Sequence, residues 1–310
     1  MRNNTESCPI CSLSSEAFRV FARKGPWKYL ECRDCGAVFL SPIPSEEALR
    51  DYYNTAYSVP AKAYARGVAK NARPILEALA TKSPEKGKLL EVGCSHGFFL
   101  KAAEKDGWKV TGIELDDRAA SYGRNELQVN ILSGTLESAL PKLEPPYDAI
   151  VTFHVIEHLQ DPVTFFKRCR ELLRDGGTLI LKTPNVASWI AQRTRAHWGW
   201  LSPPAHIHLF SPRSLGQALK EGGLKVERIC SRRGDATNNL FELVCAMKRQ
   251  IASSRSGEAG DYGRSGRPDR WQVNIARFTS EWIYWPAGLF LDPWLAKKGL
   301  QPELFAVARV

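Results

Sequence analysis

Residues 89–100, Leu-Leu-Glu-Val-Gly-Cys-Ser-His-Gly-Phe-Phe-Leu, carry the chain from an apolar strand through a carboxylate and a small-residue loop into a new apolar helix. Gly93 and Gly97 have no Cβ, so the backbone can turn sharply there and keep its N–H groups facing outward. A helix starting near Phe98 adds unpaired N–H donors and the positive end of its dipole, which suits a polar or anionic ligand group. Alone the loop is weak evidence, because it also resembles a dinucleotide fingerprint short of one glycine. An ordinary strand–helix turn is the competing reading.

The elements that follow keep one rhythm. Residues 108–114 (Trp-Lys-Val-Thr-Gly-Ile-Glu) form a second strand pattern ending in an acid, and 129–134 form a short third. Residues 147–153 enter His154-Val-Ile-Glu-His158, 177–184 make a fifth strand, 224–230 a sixth and 302–310 the last. Asp161-Pro162 supplies a cap and a first-turn proline for a helix that Gly176 is expected to end; Ser211-Pro212 and Gly222-Gly223 bracket another. Alternating strands and helices predict an α/β fold with a doubly wound, mostly parallel, seven-stranded sheet and ligands at its carboxyl edge. Glu114 suits two neighbouring ribose hydroxyls, which need a bidentate acceptor; a solvated strand end is the alternative.

Through Glu91-Val-Gly-Cys-Ser-His-Gly97, Ile113-Glu-Leu115, Tyr147-Asp148 with Glu157-His158, Gly176-Gly177 and His206-Ile-His-Leu-Phe-Ser-Pro212, the chain resembles the class I S-adenosylmethionine-dependent methyltransferases. The likeness covers roughly residues 85–235 and the final strand. It implies a Rossmann-like transferase core that takes S-adenosyl-L-methionine, with cofactor contacts at Glu91, Gly93, Cys94, Gly97, Glu114, Leu115, Gly134, Leu136, Phe153 and His154. Ser95 stands where such loops usually have their middle glycine. No Asp follows Ser133-Gly134, so adenine recognition would fall to backbone and Leu136. His206 is similar in position to the histidine of zinc-containing sugar C-methyltransferases, although Ala205 replaces the Glu that precedes it there. A hydroxyl or carbon acceptor needs a base; His206 is the first candidate and His154 the second, with His158 read as structural.

Cys8-Pro-Ile-Cys11 and Cys32-Arg-Asp-Cys35 are two Cys-x-x-Cys pairs twenty residues apart, a spacing suited to tetrahedral Zn²⁺. Residues 18–22 and 27–31 alternate around Lys24-Gly25-Pro26 as a hairpin would, so the segment reads as a small zinc ribbon. Four thiolates close the coordination sphere, and this zinc is expected to be structural. Four unrelated reduced cysteines are the bland alternative. Disulfides are disfavoured because no secretory signal is evident.

The expected organisation is a ribbon over 1–42, a linker and N-terminal helices over 43–86, a methyltransferase core over 87–250, a Ser/Gly/Arg-rich flexible loop over 251–270, and an aromatic helical segment with the final strand over 271–310. Trp189, Trp198 and Trp200, set among Arg193, Arg195 and His197, read either as an acceptor-facing lid or as core. Tyr52, Tyr53 and Tyr57 stand between covering the cofactor and packing. Residues 271–298 are read first as core or dimer packing and second as a peripheral membrane or partner contact.

A net charge of +10 draws anions, whether nucleotide-linked substrates, nucleic acid or acidic membranes, but the basic residues are scattered. No apolar run is long enough to span a bilayer, and the expected location is cytoplasmic. The leading expectation is methyl transfer to a small molecule, a sugar or glycan precursor on a nucleotide carrier. The alternatives are O-methylation of a quinone or lipid-like acceptor and an RNA-binding or RNA-methylating protein; no specific nucleic acid partner is expected.

Overall fold

Parallel pairing of β4 (Lys88–Val92), β5 (Lys109–Glu114), β6 (Ile131–Ser133), β7 (Tyr147–Phe153) and β8 (Leu173–Pro184) builds the larger sheet of the computed structural model, which describes residues 7–45, 47–49, 52, 61–232 and 298–310. With β10 (Lys225–Arg232) and β11 (Glu303–Arg309) the order is β10-β11-β8-β7-β4-β5-β6. Leu89, Leu90, Ala149, Ile150, Val151, Leu179 and Ile180 are fully buried, the near-continuous apolar strands of a parallel sheet covered on both faces. From β4 the chain moves through β5 and β6 on one side and then returns to β7 on the other. That reversal opens a crevice at the carboxyl end of β4, where open α/β sheets bind ligands.

The helices follow from caps and apolar spacing. Helix α1 is Ala61–Lys82, α2 Phe98–Lys105, α3 Asp117–Glu126, α4 Leu136–Ala139 and α5 Pro162–Leu172. Asp161 accepts from Thr164 N at 2.9 Å to start α5, which buries Phe165, Phe166, Cys169 and Leu172 on one face. Each such side chain contributes about 1.5–3 kcal/mol by leaving water. This helix ends at Leu172, before the expected stop at Gly176: Leu173 is already extended and pairs with Tyr147. Gly176 instead takes φ +70 within β8.

Described residues within 58–183, 218–229 and 305–310 cluster as one unit, and those within 1–57, 184–217 and 230–304 as another. In the second, β1 (Phe18–Lys24) and β2 (Trp27–Cys32) form the expected hairpin, with Gly25 at φ +55 in its turn. Strand β3 (Val38–Ser41) pairs antiparallel with β2, and β9 (His208–Leu209) pairs with β3. A hairpin of this size cannot bury a core by itself. Here Phe21, Tyr29 and Leu40 share one with Val186, Ile190, Trp198, Leu201 and Leu209. Helix α6 (Trp189–Thr194) and the turn after it therefore complete the ribbon, and Trp198 is core, not a stacking platform. Helix α7 (Pro212–Glu221) follows β9, bounded as expected.

The expected loop 251–270, residues 271–297 of the aromatic segment, and Tyr53 and Tyr57 lie outside the described residues. No described helix is long and apolar enough to cross a membrane.

Candidate functional site

The loop after β4 is a left-handed cradle: Gly93 has φ +77, Ser95 φ +49 and Gly97 φ +78. A Cβ on Gly93 would collide with Val155, and one on Gly97 would sit 2.8 Å from Val129 Cγ2 and 2.9 Å from Ile131 Cδ1. Both glycines are thus demanded twice, by φ and by space. Gly93 N and Cys94 N both donate to Ile113 O, which ties the loop to the end of β5. Ser95 tolerates the left-handed region at a cost of about 1–2 kcal/mol.

Glu114 ends β5 inside this cradle. Its Oε2 accepts from Ser95 N at 2.7 Å and its Oε1 from Asp116 N at 2.8 Å. Each oxygen keeps lone-pair capacity for a hydroxyl, so the carboxylate is oriented in advance for a cis-diol. Burial holds its carboxyl above the ordinary range, and the two amides work against that rise. Asp116 turns away to cap α3, accepting from Arg118 N at 3.0 Å. Glu91 pairs with Gly112, two residues before Glu114. It is 2 % exposed, and its Oε2 has no hydrogen-bond partner among the described residues. Burial first, then the charge of Glu114, drives the Glu91 carboxyl well above its usual range. Two acids under that strain, beside a glycine cradle, fit a ligand that brings both positive charge and a ribose. S-adenosylmethionine carries a sulfonium, an ammonium and that diol.

The remaining predicted positions divide. Leu115 is exposed beside Glu114, whereas Cys94 and Leu136 are buried, the Cys94 sulfur lying against Gly112. Gly134 takes φ +129, and its N–H donates to Glu114 O, so it shapes the same rim. Phe153 packs edge-on against Phe99 with ring centroids 5.3 Å apart. His154 follows it with φ +57, an uncommon conformation for a side chain of that size, and its N–H donates to Lys182 O at 2.9 Å. Its Nδ1 lies 3.3 Å from Oε1 of the fully buried Glu157, whose Oε2 accepts from Thr183 Oγ1 at 3.0 Å.

Sequence reasoning did not single out Asp116, Thr183 or Lys182. Lys182 is nearly buried, with Nζ 5.6 Å from the Phe153 ring centre. The available signal was a lone cation in the apolar run 179–183, since lysine is rarely buried without a purpose.

His206, in the other unit, is 8 % exposed. Its Nδ1 is 2.6 Å from Trp200 O, and its ring stacks on the Trp200 indole at 5.9 Å and 18°. A carbonyl only accepts, so Nδ1 carries a proton, and the lone pair of the neutral ring belongs to Nε2. In the same unit the four predicted thiols converge: Cys8 and Cys35 sulfurs are 3.6 Å apart, as are those of Cys11 and Cys32, and all four lie within 4.8 Å of one another. Tetrahedral zinc with Zn–S bonds of about 2.3 Å needs sulfurs about 3.8 Å apart, so the cluster fits that ion.

Residues 64–229 match a methyltransferase-domain family. A ubiquinone biosynthesis O-methyltransferase of Maricaulis maris is 31 % identical over 160 residues, 48 % of this chain and 63 % of the relative; the match spans less than two thirds of that relative's length. One of the same name from Nitrosospira multiformis is 26 % identical over 166 residues, 50 % of this chain and 70 % of the relative. A crystal structure from Galdieria sulphuraria, titled for sarcosine dimethylglycine methylation, superposes with a TM-score of 0.50 at 16 % identity, covering 85 % of this chain and 98 % of that one, a likeness of fold alone. With the family match spanning more than half the chain and the crevice equipped as above, the chain belongs to the class I S-adenosylmethionine-dependent methyltransferases.

Proposed function

We propose that the protein O-methylates a hydroxyl of a small acceptor, with Glu114 on the ribose, Glu91 facing the cationic amino-acid end, His154 on the transfer face and His206 as base. The cofactor, when bound, supplies an electrophilic methyl on sulfonium. The protein's own work is alignment, exclusion of water and removal of one proton from the acceptor. With the carbon–sulfur bond broken and a neutral thioether as leaving group, the acceptor oxygen would gain the methyl and its proton would pass to His206 Nε2. The lone pair there is kept in place by the Nδ1 contact with Trp200 O. The single observation behind the cofactor reading is the bidentate hold of Ser95 N and Asp116 N on the Glu114 carboxylate.

The relatives named for ubiquinone biosynthesis favour a hydroxylated aromatic ring as acceptor. The ribbon and the His206 segment favour a nucleotide-linked sugar instead, as the second reading. We further infer that Cys8, Cys11, Cys32 and Cys35 hold one structural Zn²⁺. Labelled cofactor offered with hydroxylated benzoates, quinols and nucleotide hexoses tests the acceptor class. Product from none of these, with His206→Ala as reference, removes the O-methylation reading.

A further inference from the structure

Strands β1–β3 and residues 184–217 share one core, and several of the hydrogen bonds that join them fall on His206 and its neighbours. Tyr29, fully buried in the middle of β2, donates its hydroxyl to His206 O at 2.8 Å. His206 N donates to Ser202 O at 2.9 Å, so both backbone groups of this residue are taken. Leu40 N donates to Ile207 O at 2.9 Å, and Phe39 pairs with His208. At the far end of the segment Ser211 Oγ donates to Cys35 O at 3.1 Å. It also sits 3.0 Å from where a Cβ on Gly36 would lie. Gly36 N donates to Cys32 O at 2.9 Å and Cys32 N to Ala37 O at 2.9 Å, so the second cysteine pair forms the turn on which Ser211 rests.

We propose that Tyr29 and Ser211 are positioning residues that transmit the order of the four-cysteine centre to the His206 ring, so that the ribbon sets the tautomer of the candidate base. The inference rests on the reading of His206 as base but is measured without an acceptor. The chain of causes is short. Four-coordinate metal fixes the Cys32–Cys35 turn. That turn fixes the start of β3 and the seat of Ser211. Strand β3 and Tyr29 hold 206–211, and the Nδ1 contact with Trp200 O survives only while that backbone stays in register. Without it the ring relaxes toward the Nε2-protonated form that free imidazole prefers, which cannot accept a proton at Nε2.

The test is ¹⁵N NMR of the full chain, zinc-loaded and labelled at histidine, with the His206 signals assigned by His206→Asn. The wild type should show His206 protonated at Nδ1. Tyr29→Phe keeps the ring in the core and removes one hydroxyl; it should lower the Nδ1-H to Nε2-H ratio about five-fold, the worth of one net hydrogen bond. Ser211→Ala should shift it in the same direction, as should zinc removal by a chelator, while calorimetric affinity for S-adenosylmethionine stays within about two-fold. An unchanged His206 spectrum in Ser211→Ala and after zinc removal overturns the proposal, even where Tyr29→Phe fails to fold. A shifted spectrum with turnover intact leaves the coupling standing and removes His206 as the base.

Discussion

Ser95 N lies 2.7 Å from Glu114 Oε2, so the residue in place of the loop's middle glycine is latched to the carboxylate that ends β5. One contact thereby joins the glycine cradle to the carboxylate proposed to take the ribose. The loop and the acid are a single device.

Glu114→Gln replaces one acceptor oxygen by a donor, so Ser95 N or Asp116 N loses its partner. S-adenosylmethionine affinity should fall about 10- to 100-fold, the range for a charged hydrogen-bonding group, measured by calorimetry. Unchanged affinity would take Glu114 out of ribose binding.

If Glu91 faces the cationic end of the cofactor, its raised carboxyl should make cofactor binding pH-dependent. Its folded-state proton affinity exceeds that of the unfolded chain, so its ionisation destabilises the cofactor-free fold as pH rises from the ordinary carboxylate range through the folded value. A cation favours the ionised form. Affinity should therefore increase with pH across that window, with protons released on binding. Calorimetry in buffers of different ionisation enthalpy measures that release, and Glu91→Gln should reduce it, leaving only what the raised Glu114 carboxyl contributes. A proton count of zero in the wild type contradicts the assignment.

Gly97→Ala meets two obstacles at once, a φ of +78 and the side chains of Val129 and Ile131. A loss of about 2–3 kcal/mol in urea unfolding is expected, with weaker cofactor binding because the start of α2 shifts. A variant as stable as wild type would show that the loop can move without cost.

The cysteine cluster should bind one zinc per chain by elemental analysis. Cys32→Ser should lose it and lower the thermal midpoint, since metal binding to such small modules is folding free energy. Full zinc content in Cys32→Ser would mean another ligand set.

The succession of strands, the helix caps, the cradle and the cysteine pairs were all legible along the chain, because each rests on local chemistry. Apolar runs make buried parallel strands, Asp161-Pro162 starts a helix, Gly93 and Gly97 permit φ that other residues resist, and Cys-x-x-Cys spacing limits its own geometry. The end of α5 was not: Gly176 is a better stop signal than Leu173, but pairing of Leu173 with Tyr147 on the neighbouring strand outcompetes another helical turn.

What folding alone decided is which distant residues meet. Nothing near Tyr29 announces His206, and nothing near Cys35 announces Ser211; those contacts span 177 and 176 residues. A three-stranded ribbon lacks enough apolar surface to exclude water and must borrow a core from elsewhere. The segment after β8, carrying Ile190, Trp198 and Leu209, provides it. The same need turned Trp198 from an apparent acceptor platform into structural packing. Sequence thus set the local shapes and chemical groups, while burial of apolar area chose their partners.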